Sequence, residues 1–76
     1  MFKVNKEATT EIAKQLRLRD IGGIIIIDYI DMHEAENKKE IIELLAQSLK
    51  KDRTKSQILG FTKLNLLEMT RKNMCN

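Results

Sequence analysis

Hydrophobic and polar residues recur along the chain with spacings that predict five elements, and the first is a helix from Asn5 to Asp20. Within it, Ala8, Ile12 and Leu16 lie four residues apart, which places them on one face of a helix. Asn5 precedes this face and is a residue type that favours the capping position, so we expect it to cap the helix.

A glycine pair and a run of isoleucines come next. Gly22 and Gly23 are expected to end the helix, because glycine accepts the left-handed conformation that closes one. Ile24 to Ile30 is short, β-branched and apolar on both of its alternating faces, a pattern typical of a strand covered on both sides. We therefore expect this strand to be central in its sheet.

A second amphipathic helix is predicted from about Glu34 to Lys51. Its apolar stripe consists of Ile41, Ile42, Leu45 and Leu49, while charged residues occupy the remaining positions. Two apolar segments follow, QILGF and LLEMT, and the four residues 62–65 between them are compatible with a β-hairpin.

The predicted order is therefore α-β-α-β-β. A strand, a crossover helix and a further strand favour an α/β layer, with the helices packed on a short parallel or mixed sheet. The chain has no proline, no internal repeat and no low-complexity linker, and 76 residues suffice for one domain only. We expect residues 1–76 to form a single domain.

Charge is unevenly distributed, although the net charge is only +3. From Lys50 to Lys72, seven basic residues face only Asp52 and Glu68. A basic end of this kind is either a solvated surface or a nucleic-acid footprint, and the composition leaves both open. Because Tyr and Phe are few, a stacking platform for single-stranded bases is not evident.

Location and redox setting follow from the cysteine count and the hydropathy. Cys75 is the single cysteine, so we expect a free thiol and a reducing, cytoplasmic setting. The amino terminus turns polar at once, and the isoleucine run is far shorter than the ~18 apolar residues of a membrane span. We expect no membrane partner.

Two carboxylates, Asp28 and Asp31, follow the isoleucine run, where burial of a charge would be costly. Ligand sites in open α/β sheets gather at the carboxyl ends of strands, so Asp28 is well placed to meet a cation. Residues three apart in an extended chain point to opposite faces. The two carboxylates therefore do not hold one ion unless the backbone turns between them.

A carboxylate without a Cys or His cluster suits Mg²⁺ or Mn²⁺, which take hard oxygen ligands and commonly sit between carboxylates and substrate phosphates. The alternative is that Asp28 and Asp31 cap the next helix or pair with a lysine. Asp31 fits that alternative better, since it lies close ahead of the second helix. His33, the only histidine, is expected to be a loop residue.

Four motifs, QLRLRDIGG, IIDYIDM, DRTK and LEMTRK, occur in an order that closely resembles part of the catalytic region of the ribonuclease E/G family. The resemblance covers about Val4 to Lys72. It implies a segment of that family's DNase I-like subdomain and an endoribonuclease that uses Mg²⁺ to cleave single-stranded RNA.

Residue roles are implied motif by motif. The first motif aspartate matches Asp28 and is implied to be the catalytic magnesium ligand, while Asp31 is at most supporting. The basic residue that matches Lys55 lies near RNA in the family. Residues expected to contact RNA phosphates are thus Lys55 and, as weaker candidates, Arg53, Arg71 and Lys72.

The chain also departs from the family's pattern. The family's other metal aspartate lies in an Asp-x-Asn element upstream of these motifs, and Cys75 lacks the partner and spacing of its CPxC-like zinc link. We expect a fragment that is inactive alone, or else a non-catalytic RNA-binding or assembly module, or a structural remnant. Exposed sheet edges or apolar surface are expected to drive homo-oligomerisation.

Overall fold

Residues 2–72 are described by a computed structural model, and they form two helices and three strands. The elements are α1 (Phe2–Leu18), β1 (Gly23–Asp28), α2 (Ala35–Ser48), β2 (Ser56–Phe61) and β3 (Leu66–Arg71). The predicted α/β class and the order α-β-α-β-β are confirmed, including the hairpin that joins β2 to β3. Cys75 and its predicted free thiol lie outside the described residues. Neither helix combines the length and apolar character needed to cross a bilayer.

The three strands form one sheet in the order β1-β3-β2, and β3 is antiparallel to both neighbours. The predicted parallel or mixed sheet is wrong in this respect. The crossover through α2 does bring β2 back in the same direction as β1. The hairpin then inserts β3 between them, so that every adjacent pair is antiparallel.

β1 is an edge strand among the described residues, and its predicted central position is wrong. Ile27 is buried against the helices, whereas Ile24 is 82% exposed and Ile26 is 49% exposed. Alternate residues of a strand face opposite sides, and both helices lie on the side that Ile27 faces. An apolar run on both faces therefore does not ensure that both faces are covered.

We call the side of the sheet turned away from the helices the outer face. Strand alternation and the pairing register assign to it Ile24, Ile26, Asp28, Gln57, Leu66, Glu68 and Thr70. The opposite side carries Leu67 and Met69, which are fully buried with Ile41 and Leu45 of α2. The core thus lies wholly between the sheet and the helices, and the apolar stripe predicted for α2 is confirmed.

The buried face of α1 is rotated from the predicted one and shares Leu16 with it. Its buried residues are Asn5, Thr9, Ala13 and Leu16, whereas Ala8 and Ile12 are only partly covered. Asn5 does not cap the helix, because α1 begins at Phe2 and Asn5 lies within it. Two of the four buried positions are polar, and apolar spacing alone does not reveal them.

The carboxyl end of α1 is closed by an aspartate, although the glycine pair was expected to do so. Asp20 has a left-handed backbone with φ of 51°. The N–H of Ile21 donates to the carbonyl of Leu16 at 3.1 Å, and the N–H of Asp20 donates to that of Arg17 at 3.3 Å. This pair of bonds is the Schellman pattern that usually has glycine at the left-handed position.

Arg71 of β3 holds this helix end to the rest of the fold. Its buried guanidinium donates from Nε and Nη2 to the two Asp52 oxygens, at 2.8 and 3.0 Å. Nη1 donates to Asp20 Oδ1 at 2.9 Å and to the Ile21 carbonyl at 3.0 Å. The hydrogen bond from Arg71 lowers the pKa of Asp52 below its ordinary value. One side chain therefore ties β3 to the ends of both helices.

Removing the charge of Asp52 should destabilise the fold far more than removing that of Asp20. Asp52→Asn leaves a buried guanidinium without its main counter-ion, and we expect a loss of about 3 kcal/mol in unfolding free energy. Asp20 has a side chain that is 49% exposed, so Asp20→Asn should cost less than about 1 kcal/mol. Urea denaturation of the two variants measures both values. Equal losses would contradict this assignment.

Candidate functional site

Asp28 is the last residue of β1, and its side chain lies on the outer face. It pairs in register with Leu66 of β3 and is exposed. Within residues 2–72 it forms neither an ion pair nor a helix cap. The carboxylate is therefore available to a ligand that approaches the outer face.

The backbone turns directly after Asp28. Tyr29 points into the core and is 7% exposed, whereas Ile30 is 51% exposed. Asp31 has a left-handed backbone with φ of 43°. The condition that would let Asp28 and Asp31 approach one ion, a turn between them, is thus fulfilled.

Asp31 does not cap the second helix. The capping position of α2 is Glu34, and it makes no side-chain hydrogen bond to the helix. Asp31 is exposed, and within the described part of the chain it has no ion-pair partner. Neither alternative for this carboxylate, capping α2 or pairing with a lysine, is found there.

The turn is held from inside by α1. Asn5 Nδ2 donates to the Ile30 carbonyl at 2.6 Å, and the Ile30 N–H donates to Asn5 Oδ1 at 3.2 Å. The hydroxyls of Thr9 and Tyr29 are hydrogen-bonded at 2.6 Å. Burial raises the pKa of Tyr29 above its ordinary value of 10.0, so this phenol stays neutral at physiological pH. The residues between the two carboxylates are fixed by buried hydrogen bonds.

The donor set at this turn suits a hard divalent cation, but only in part. An exposed carboxylate is the ligand type that Mg²⁺ takes in proteins, where it usually keeps several waters. In the range 2–72, no three His, Cys, Asp or Glu side chains are grouped so that they could hold a metal. These residues can therefore supply a carboxylate ligand through Asp28 but not a complete cage.

Two of the basic residues singled out in the sequence, Lys55 and Lys72, lie together at the other end of the outer face. The N–H of Lys72 donates to the Lys55 carbonyl at 2.9 Å, which extends the pairing of β2 with β3 by one residue. Both lysines line an open groove of about 590 Å³ together with Ile24, Gln57 and Thr70, which we call the lysine groove. Two cations beside amide and hydroxyl groups form a surface suited to phosphates.

Arg53 and Arg71 are placed differently. Arg53 lines a second groove of about 490 Å³ between α2 and β2, which shares Lys55 with the first. Arg71 also lines the first groove, but its side chain is only 2% exposed and makes four hydrogen bonds to Asp52, Asp20 and Ile21. The structure thus gives Arg71 a role in the fold, and its contact with an RNA phosphate stays a prediction.

Asp28 and the lysine groove share the outer face but not one location. Gly23 and Asp28, at the two ends of β1, pair with Arg71 and Leu66 of β3. This separation corresponds to about 17 Å along the strand. A single ligand that touches both ends must span at least this distance.

Asn5 and Thr9 support the site but were not identified as site residues. Both are nearly or fully buried, and they bind residues 20 and 25 positions away in the chain. A signal was available in hindsight: the four-residue spacing of Asn5, Thr9 and Ala13 continues the buried face upstream. Polar residues in a helical stripe are normally assigned to solvent, which hides this pattern.

Comparisons with known proteins agree with the motifs. The sequence profile described as "Ribonuclease E/G family" matches residues 1–74. The chain is 54% identical over 72 residues to ribonuclease G of Salmonella typhimurium and 53% identical over 72 residues to that of Escherichia coli K12; each match covers 95% of the chain and 15% of the relative. Ribonuclease E of Synechocystis is 48% identical over 68 residues, which is 90% of the chain and 10% of the relative. The chain therefore spans about one seventh of the length of the ribonuclease G relatives.

Proposed function

The chain belongs to the ribonuclease E/G family, and on that premise we propose that it forms part of the catalytic region of a magnesium-dependent endoribonuclease that cleaves single-stranded RNA. The observation that carries the proposal is the placement of Asp28. Its exposed carboxylate stands at the end of β1, directly before a turn that buried hydrogen bonds hold in place.

Asp28 would hold Mg²⁺ through a carboxylate oxygen. The ion, when bound, would supply activation of a water for attack on a backbone phosphorus and would stabilise the charge on its oxygens. Asp31, which follows in the same turn, would at most support this site. Alone, the chain would cleave little or no RNA, since residues 2–72 do not group three metal-ligating side chains.

Lys55 and Lys72 would guide RNA along the outer face toward Asp28, with Arg53 adding charge from the neighbouring groove. The distance of about 17 Å along β1 is one that a single strand of RNA can span. A non-catalytic RNA-binding module is the second candidate, and the lysine groove supports it independently of the metal. The single cysteine supports a cytoplasmic location for either function.

We also propose that the isolated chain self-associates through the outer face and the free edge of β1. Large apolar side chains are exposed there, above all Ile24 at 82%. Among the described residues, no strand pairs with the other edge of β1. Uncovered apolar surface beside an unpaired edge favours association.

A chimaera tests the catalytic role. The matching 72 residues of this chain would replace their counterparts in ribonuclease G of Escherichia coli K12, and cleavage of a single-stranded RNA would be followed at saturating Mg²⁺. We expect an active chimaera in which Asp28→Asn lowers kcat/KM by at least about 100-fold. This loss would exceed the one that is usual when a residue hydrogen-bonded to a metal ligand is removed. Asp31→Asn, the matched control, should cost less than about tenfold. An active chimaera that tolerates Asp28→Asn would refute the catalytic assignment.

Salt dependence tests the lysine groove. Affinity of the 76-residue chain for a labelled single-stranded RNA would be measured at several KCl concentrations. Lys55→Ala and Lys72→Ala should each reduce the slope of log K against log salt by about 0.7 per lost phosphate contact. Lys39→Ala, an exposed lysine of α2, is the control and should leave the slope unchanged. If all three variants behave alike, the groove is not the RNA surface.

Sedimentation velocity tests self-association. The chain should form dimers or larger species as its concentration rises, and Ile24→Lys should shift it toward monomer by placing a charge on the outer face. Leu64→Lys alters a side chain that is 80% exposed in the β2–β3 hairpin and should have little effect. A monomer at every concentration would be incompatible with the proposal.

A further inference from the structure

Asn5 is a buried polar residue that no step of the proposed reaction uses directly. It is 2% exposed, and its amide engages both backbone groups of one distant residue, Ile30. Nδ2 donates to the Ile30 carbonyl at 2.6 Å, and Oδ1 accepts from the Ile30 N–H at 3.2 Å. The amide thus satisfies the polar groups of Ile30 much as the peptide of an adjacent strand would.

Thr9 extends the same contact by one residue. Its hydroxyl donates to the Asn5 carbonyl at 2.8 Å, which uses its only proton. The Tyr29 hydroxyl must therefore be the donor in its 2.6 Å bond with Thr9. Two residues one turn apart in α1 bind Tyr29 and Ile30, the two residues between Asp28 and Asp31.

The turn needs such support. Asp31 adopts φ of 43°, a left-handed conformation that costs energy in a residue with a Cβ. Such a conformation persists only when the surrounding structure holds it. Ile30 is half exposed, so little packing holds it in place. Without Asn5, the Ile30 peptide could rotate and the end of β1 could fray.

We propose that Asn5 is a positioning residue for Asp28. By fixing the peptide of Ile30, it ends β1 at Asp28 and keeps that carboxylate on the outer face in a single orientation. The inference rests on the proposed role of Asp28 as a metal ligand. Ligands that are held rigidly by their neighbours bind metal more tightly, since less ordering is needed on binding.

Manganese binding to the 76-residue chain tests this, with Mn²⁺ alone as the probe. Its paramagnetic broadening of backbone amide signals would be followed by NMR during a titration, and Asp28→Asn would identify the signals that depend on this carboxylate. We expect Asn5→Ala to raise the apparent Kd about tenfold and to remove the hydrogen-exchange protection of the Ile30 amide.

Tyr29→Phe is the matched control. This variant removes a buried hydrogen bond between the same helix and the same turn but leaves both hydrogen bonds between Asn5 and Ile30. Its Kd for Mn²⁺ should therefore stay within twofold of that of the unmodified chain. If Asn5→Ala does not fold, Asn5→Ser, which leaves a hydroxyl near the Ile30 peptide, replaces it with the same expected direction.

Each outcome separates the two proposals. Absence of Mn²⁺ broadening at Asp28 in the unmodified chain would overturn the metal-ligand role itself. Binding at Asp28 with equal Kd in Asn5→Ala would overturn the positioning role alone. A similar loss of affinity in Asn5→Ala and Tyr29→Phe would also overturn it, because general destabilisation would then account for both.

Discussion

The fold depends on the attachment of α1 to the sheet at both of its ends by buried polar groups. At the amino end, Asn5 and Thr9 bind the two residues that follow β1. At the carboxyl end, Arg71 binds Asp20 and the carbonyl of Ile21. Because α1 runs opposite to β1, these contacts fix where the strand begins and where it ends. Apolar packing between them could tolerate sliding, whereas paired donors and acceptors cannot.

Because these contacts lie on the side of the sheet that the helices cover, the residues proposed to bind metal and RNA lie on the outer face. Asp28 lies at one end of that face and the two lysines of the groove lie at the other, with exposed isoleucines between them. A carboxylate suited to a cation and a pair of ammonium groups suited to phosphates are thereby separated along one strand. We propose that this arrangement serves to bind an extended polyanion with one reacting phosphate near Asp28.

Several parts of this picture could be predicted from the sequence, because they depend on local pattern. The apolar stripe of α2 and the hairpin between β2 and β3 follow from spacing and turn composition. The place of β1 in the sheet could not be predicted, since β-branched residues on both faces do not say which strand will lie beside them. Asp20 closes α1 where glycine was expected, and Arg71 helps to hold it there through a contact fifty-one residues apart.

The polar residues of the core were the hardest to predict, for a physical reason. A buried asparagine or arginine is stable only when distant groups satisfy it, and those groups become neighbours only in the folded chain. The motif resemblance pointed to Asp28 independently of this problem. The resemblance could not show that these two candidates for phosphate contact differ in burial. Arg71 is buried in the fold, whereas Lys72 is exposed at the lysine groove.

We propose that Asp28, and not Asp31, is the principal metal ligand of this chain. Carbon-13 NMR of the aspartate carboxyl groups during a Mg²⁺ titration tests it most directly. We expect a saturable shift of the Asp28 carboxyl signal, with a smaller shift at Asp31 and none at Asp52, whose carboxylate pairs with Arg71. A dominant shift at Asp31, or no shift at either carboxylate, would contradict this assignment.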